Sequence, residues 1–162
     1  MQTLMPIAEK VAARLIARKE TLSVAESSTG GLIAAALLAV PGASAYFVGG
    51  AVVYTRQSRT VLLGITDADM TGGLRASTEV FALMCAKRMR ERHETTWGLA
   101  ETGAAGPSGN RYGDAAGHSC MAVSGPIDRA ITLETGSADR QANMDAFAQR
   151  ALELFLEALG AP

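Results

Sequence analysis

The sequence is poor in aromatic residues and has no excess of charge of either sign. Aromatic side chains make up 5% of its 162 residues, so it offers few platforms on which nucleic-acid bases could stack. Fifteen basic residues stand against sixteen acidic ones, a net charge of -1, so the chain lacks the strong positive field that binds nucleic acid or an anionic membrane. These shortages argue against both partners and favour a small-molecule ligand.

Cysteines and long apolar runs are also scarce. Cys85 and Cys120 are the two cysteines; they lie far apart beside apolar neighbours, which predicts buried, inert thiols rather than a disulfide or a metal site. No apolar stretch reaches the roughly 18 residues of a membrane helix. Charged residues interrupt the amphipathic segment from Met1 to Ala17, which is therefore unlike a signal sequence. We expect a cytoplasmic protein.

The composition and the apolar spacing favour a single layered α/β domain over residues 1–162. Helices are predicted over residues 4–16, 29–40, 55–63, 77–93 and 139–159, with Ser77 as the N-cap of the fourth. Strands are predicted over residues 21–25, 45–54, 96–101, 118–123 and 130–135. The last two strands form a hairpin across Gly125-Pro126, which predicts a mixed sheet. The first helix should bury an apolar face that runs from Leu4 to Ile16.

Two loops rich in glycine and hydroxyl groups come directly after predicted strands. The first is Ala25-Glu26-Ser27-Ser28-Thr29-Gly30-Gly31, which opens a helix, and the second runs from Thr102 to Gly113. Free backbone N–H groups and the helix dipole at such an N-terminus bind a phosphate or a developing oxyanion. Ligands of α/β sheets bind beyond the carboxyl ends of the strands. We therefore expect both loops to converge on one pocket.

Several motifs occur in the order found in a known family. Residues 25–31 are similar to an Ala-Glu-Ser-Cys-Thr-Gly-Gly signature, and Pro41-Gly42-Ala43-Ser44 and the segment from Gly49 to Tyr54 resemble the next two segments of that family. Residues 102–107 resemble a Ser/Thr-Gly-x-Ala-Gly-Pro loop, and residues 136–140 a late Gly-Asp-Arg turn. Over nearly its whole length the chain thus resembles the CinA C-terminal domain family, the nicotinamide-nucleotide amidases.

The resemblance implies a three-layer α/β/α fold with a mixed, mostly parallel sheet, assembled as a homo-oligomer. It also implies hydrolysis of nicotinamide mononucleotide to nicotinate mononucleotide and ammonia, a step of NAD recycling, without a cofactor or a metal. Ser27 matches the family's nucleophile, and Tyr54 and Arg59 fall in its catalytic segment. Contacts to the pyridine nucleotide are then expected from residues of the two loops: Ser28, Thr29, Gly30, Gly31, Thr102, Gly103, Ala105 and Gly106.

The chain departs from the family where a lysine base is expected. Arg59 takes that position, and a guanidinium keeps its charge, so Arg59 is a poor general base that can still bind phosphate or stabilise negative charge. The Ser27 proton then passes to Glu26, Glu101, Tyr54 or a water, or the activity has been lost. A second departure is Ser28, which stands in place of a cysteine. A third is residues 114–118, where the family tends to carry Lys-Pro-Val-Gly-Thr. With Arg111 and His118 nearby, the loss of that lysine is expected to change which end of a nucleotide the protein binds.

Two classes of function therefore stay open: an amidase that acts through Ser27, and a non-catalytic module that binds a nucleotide or a phosphate. Each of the candidate site residues also has a simpler interpretation. Ser27 could cap a helix, Arg59 could be a solvated surface charge, and His118 could be a structural histidine. The glycines of the second loop could serve turn geometry alone.

Overall fold

The computed structural model describes residues 1–160, which form one five-stranded sheet with helices on both faces. The helices are α1 (Met5–Arg18), α2 (Leu32–Leu38), α3 (Arg56–Leu63), α4 (Glu79–His93) and α5 (Arg140–Gly160). The strands are β1 (Leu22–Glu26), β2 (Phe47–Val52), β3 (Trp97–Ala104), β4 (His118–Ser124) and β5 (Arg129–Glu134). Short 3-10 turns occupy residues 2–4, 43–45 and 67–69. Every predicted helix and strand is present.

The sheet has the strand order β2-β1-β3-β4-β5. β2, β1 and β3 are parallel neighbours, whereas β4 is antiparallel to both β3 and β5. The mixed, mostly parallel sheet is therefore confirmed, because four strands share one direction and β4 alone runs the other way. Two of the four neighbour pairings are nevertheless antiparallel, β3–β4 and β4–β5. Each joins strands that follow one another in the chain, and antiparallel neighbours need no crossover helix between them.

Two apolar layers cover the faces of the sheet. α1, α2 and α5 pack on one face, where the Trp97 and Phe155 rings meet edge to face with centroids 5.6 Å apart. α3 and α4 cover the other face, over alanines of β1, β3 and β4. α4 approaches β3 so closely that a Cβ on Gly98 would lie 2.0 Å from the Ala86 carbonyl oxygen, so only glycine fits there. The three-layer α/β/α architecture follows from these contacts.

The two cysteines are unreactive thiols inside the protein. Cys85 and Cys120 are buried and free, as predicted. Burial raises the pKa of the Cys85 thiol to about 12, which makes it inert. No helix within residues 1–160 is long and apolar enough to cross a membrane.

Three local predictions were wrong. The N-cap of α4 is Thr78, whose Oγ1 accepts the Phe81 N–H at 3.2 Å. Ser77 has a φ of 59°, outside the extended region that an N-cap residue adopts. Ile16, expected on the buried face of α1, is 45% exposed because it lies beside the buried stripe rather than on it. α2 also begins at Leu32, three residues later than expected, because residues 27–31 form a turn.

Candidate active site

The carboxyl ends of β1, β2 and β3 meet at one edge of the sheet, where a cavity of about 390 Å³ opens. Ser27 follows β1, Tyr54 and Arg59 follow β2, and Thr102 and Gly103 end β3; all five line this cavity. The other lining residues are Val53, Thr55, Arg56, Ala76, Ser77, Phe81, Asn110, Arg111 and Tyr112. The predicted convergence of the two loops on one pocket is confirmed, and the same cavity also brings Ser27, Tyr54 and Arg59 together, which the sequence did not predict.

Glu101 holds the Ser27 segment in place. Its buried carboxylate accepts the N–H groups of Ser27, at 3.1 Å, and of Thr29, at 2.9 Å. It also accepts the hydroxyls of Ser28, Thr29 and Ser119, the last two at 3.0 and 2.9 Å. One carboxylate thus receives five hydrogen bonds, three of them through the oxygen that faces the backbone of the turn. Glu101 therefore ties the turn that presents Ser27 to strand β3.

Glu26 occupies the helix N-terminus that the sequence offers to an anion. Its carboxylate accepts the N–H groups of Ile33 and Ala34 in the first turn of α2, at 2.8 and 3.0 Å. The Thr29 hydroxyl lies 2.9 Å from Glu26 and 3.0 Å from Glu101, so the two carboxylates share its single proton. Burial raises the pKa of Glu26, and these hydrogen bonds oppose that rise. The expected anion site at α2 is therefore filled by the chain itself. Within the described residues, the Ser27 hydroxyl makes no hydrogen bond to Glu26 or Glu101, and both carboxylates accept N–H and hydroxyl donors of the turn and of α2 instead.

Ser27 is not a helix cap. It is half-buried and lines the cavity, whereas the N-cap of α2 is Gly31, with no side-chain hydrogen bond. Within the described turn of residues 27–31, the N–H groups of Ser28 and Gly31 donate to no protein acceptor. The Ser28 N–H directly follows the candidate nucleophile, the position that often supplies one donor of an oxyanion hole.

The remaining loop residues divide between two places. Ser28, Ala105 and Gly106 line a second, smaller cavity of about 270 Å³ that shares Tyr54, Gly103 and Asn110 with the first. Thr29 is fully buried against the two glutamates. A Cβ on Gly30 or Gly31 would face Met144 or Val52 rather than a ligand. The structure therefore does not bring Thr29, Gly30 and Gly31 to either cavity.

Arg59 is buried, so its interpretation as a solvated surface charge is wrong. The residue is 9% exposed, and its guanidinium lies 6.0 Å from the centroid of the Phe81 ring. Its Nη2 donates to Asp67 at 3.3 Å, and Arg56 pairs with the same carboxylate. The Arg59 Nε is buried and has no hydrogen-bond partner in the described part of the chain. A buried guanidinium that is only partly neutralised keeps an unmet attraction for negative charge.

Comparison with known proteins identifies the family. Residues 4–159 match the family model of the CinA C-terminal domain. The chain belongs to this family. CinA-like proteins of Acidobacterium capsulatum and of a Cyanothece species are 38% and 45% identical to it over 137 and 112 residues. These alignments cover 85% and 69% of this chain but 33% and 27% of the relatives, so the chain spans about a third of their length.

Solved structures of the CinA superfamily share the fold. A CinA superfamily protein from Escherichia coli superposes with a TM-score of 0.89 at 26% identity, over 96% of this chain and 90% of that one. The competence/damage inducible protein CihA from Agrobacterium tumefaciens gives 0.85 at 28% identity, over 98% and 96%. The three-layer fold inferred from the CinA motifs is thereby confirmed.

In this CinA domain, Arg140 links the two cavities, a role that the sequence analysis missed. Its Nη2 donates to the Tyr54 hydroxyl at 3.2 Å and its Nη1 to the Gly106 carbonyl at 2.6 Å. Tyr54 is therefore held at the cavity by a residue of α5. The one signal in the sequence was the turn of residues 136–140, which marks the family but carries no local pattern that points to Tyr54.

His118 has a structural position, as its simpler interpretation predicts. Its Nε2 donates to the Ser77 carbonyl at 2.8 Å, and its Nδ1 bonds to the Glu134 carboxylate. Burial lowers the pKa of His118, but the hydrogen bonds to Glu134 and Ser77 and the nearby Asp114 outweigh burial and raise it. His118 does not line the cavity; it ties β4 and β5 to the segment before α4.

Proposed function

We propose that this CinA domain is an amidohydrolase that converts nicotinamide mononucleotide to nicotinate mononucleotide and ammonia, with Ser27 as the nucleophile. The observation that carries the proposal is the meeting of Ser27, Tyr54 and Arg59 in one cavity, although they come from segments after two different strands. Its volume of about 390 Å³ lies in the range of small-molecule sites. Family membership supports the same reaction class, whereas the relatives' names alone specify no substrate.

The chemistry begins with attack of the Ser27 hydroxyl oxygen on the carboxamide carbon. A hydroxyl is a weak nucleophile, so its proton must pass to a base as the bond forms. Because Glu26 and Glu101 already accept several N–H and hydroxyl donors and neither is hydrogen-bonded to the Ser27 hydroxyl among the described residues, we take Tyr54 or a water as the acceptor. The resulting oxyanion would be stabilised by the Ser28 N–H and the Arg59 guanidinium. The carbon–nitrogen bond then breaks, the nitrogen leaves as ammonia with the transferred proton, and water releases nicotinate mononucleotide from Ser27.

Ammonia release from nicotinamide mononucleotide, compared with a Ser27→Ala variant, tests this proposal. We expect turnover in the wild type and none above background in Ser27→Ala; equal release from both would overturn it. Arg59→Lys should raise turnover, because a buried lysine can lose its proton near neutral pH whereas arginine cannot. An unchanged rate in Arg59→Lys would place the proton acceptor elsewhere.

A second candidate function is a non-catalytic nucleotide-binding module. The permanent charge of Arg59 in place of the expected lysine favours it, because binding needs the charge but not a base. Calorimetry separates the two: tight binding of nicotinamide mononucleotide without ammonia release supports the module, and absence of binding removes it.

A further inference from the structure

The walls of the main cavity are cationic, although the chain as a whole is not. Three arginines line it, Arg56, Arg59 and Arg111, and within residues 1–160 no aspartate or glutamate does. Among the described residues, Asp67 is the one carboxylate within 4 Å of these guanidinium groups, and it pairs with both Arg56 and Arg59. Three positive charges therefore face one negative charge, in a chain whose net charge is -1. A cleft of one sign concentrates ligands of the opposite sign.

Arg111 stands apart from the other two because its loop is fixed in place by hydrogen bonds. Asp114 accepts both terminal nitrogens of Arg75, at 2.6 and 3.0 Å, and the Asn110 amide nitrogen at 2.8 Å. The Asn110 amide oxygen in turn accepts the N–H groups of Tyr112 and Asp114. The Arg75 partner holds the pKa of Asp114 below its usual range, against the effect of burial. The loop of residues 110–114 is thus held in one conformation by hydrogen bonds of the protein itself.

The Tyr112 ring sets the direction of Arg111 within that loop. The guanidinium groups of Arg75 and Arg111 lie 5.3 and 5.0 Å from the ring centroid, and Arg111 Nη2 donates to the Tyr112 hydroxyl at 2.9 Å. Arg111 has no carboxylate partner in the described part of the chain. Its charge is therefore held at the cavity in a fixed place and is free for an anion. A guanidinium has five N–H donors, so the one bond to the Tyr112 hydroxyl leaves others for the oxygen atoms of an anion.

From this geometry we infer that Arg111 binds the phosphate of the substrate and is the residue that makes the cavity prefer a phosphate-bearing amide over one without a phosphate. The inference rests on the proposed function, in that the same cavity binds the substrate. The excess of two positive charges matches a phosphate monoester better than a single carboxylate. The guanidinium fork also matches phosphate oxygens in a two-bond contact. The exposed Arg111 binds the phosphate, while the buried Arg59 faces the charge that develops near Ser27.

The test compares two amides that differ only in the phosphate, nicotinamide mononucleotide and nicotinamide riboside. Arg111→Ala should raise KM for the mononucleotide about 10- to 100-fold, the loss expected for a charge-assisted contact, with little change in kcat. The riboside should be equally poor with both enzymes. Arg111→Lys should recover part of the loss. Arg129→Ala is the matched control, because Arg129 is an exposed arginine on β5 outside the cavity, and it should change neither substrate.

The outcomes separate this inference from the proposed function. Equal weakening of both amides by Arg111→Ala, or weakening of neither, overturns the inference while the amidase activity stands. If neither amide releases ammonia, the proposed function fails, and calorimetry with nicotinate mononucleotide tests the anion site alone. Binding that Arg111→Ala weakens by the same factor then supports the inference; binding that it leaves unchanged, or no binding to the wild type, overturns it.

Discussion

Replacing Glu101 with alanine is expected to lower the free energy of unfolding by about 3–4 kcal/mol. The three hydroxyls that donate to Glu101 can turn to other acceptors, but the N–H groups of Ser27 and Thr29 cannot. A buried N–H left without an acceptor costs about 1–3 kcal/mol. Thr29 is fully buried and is assigned the upper end of that range, whereas half-buried Ser27 can reach water and is assigned the lower end.

The conservative variant Glu101→Gln should lose only about 1–2 kcal/mol. The glutamine oxygen can face the two backbone N–H groups, and its nitrogen can donate to the hydroxyls of Ser28 and Ser119, which accept as well as donate. Ser119→Ala, which removes one donor and leaves the turn intact, is the matched control at about 1 kcal/mol. Denaturant unfolding at constant slope measures all three. A loss below about 1 kcal/mol in Glu101→Ala, or equal losses in the alanine and glutamine variants, would refute the reasoning.

Three other perturbations have outcomes set by single contacts. The raised pKa of His118 implies stability that is fully present below its usual value of 6.5 and is lost as pH rises through the folded value, so His118→Gln should cost more at about pH 5.5 than at about pH 8.5; equal costs in unfolding experiments would contradict this. Alkylation of Cys85, followed by mass spectrometry, should run much more slowly in the folded protein than in the unfolded one, since the thiol is buried and burial raises its pKa to about 12; comparable rates would contradict its burial. Thr78→Ala should cost about 1 kcal/mol and Ser77→Ala almost nothing in denaturant unfolding, and the reverse order would restore Ser77 as the cap.

The sequence predicts the elements, and the placement of the cavity, because both depend on local patterns. Apolar spacing locates the helices, and the ends of parallel strands must share an edge of the sheet. The role of Glu101 escapes such analysis, because the donors of the Ser27 turn lie 72 to 74 residues away along the chain. The burial of Arg59 depends on Phe81, a residue of another helix. Ser77 and Thr78 are adjacent hydroxyl residues, and only the backbone angle of Ser77 decides between them. The homo-oligomer and the cytoplasmic location stay predictions.

The reversed direction of β4 has a consequence for how this domain can diversify. Because β4 begins at the same edge where β3 ends, the connection over residues 105–117 never crosses to the far side of the sheet. It carries Asn110, Arg111 and Tyr112 above the cavity with both of its ends anchored in paired strands. Insertions or substitutions in this segment can therefore alter which molecules are recognised while the packed layers beneath keep their shape. Relatives with the same scaffold should differ most in ligand preference where this segment differs.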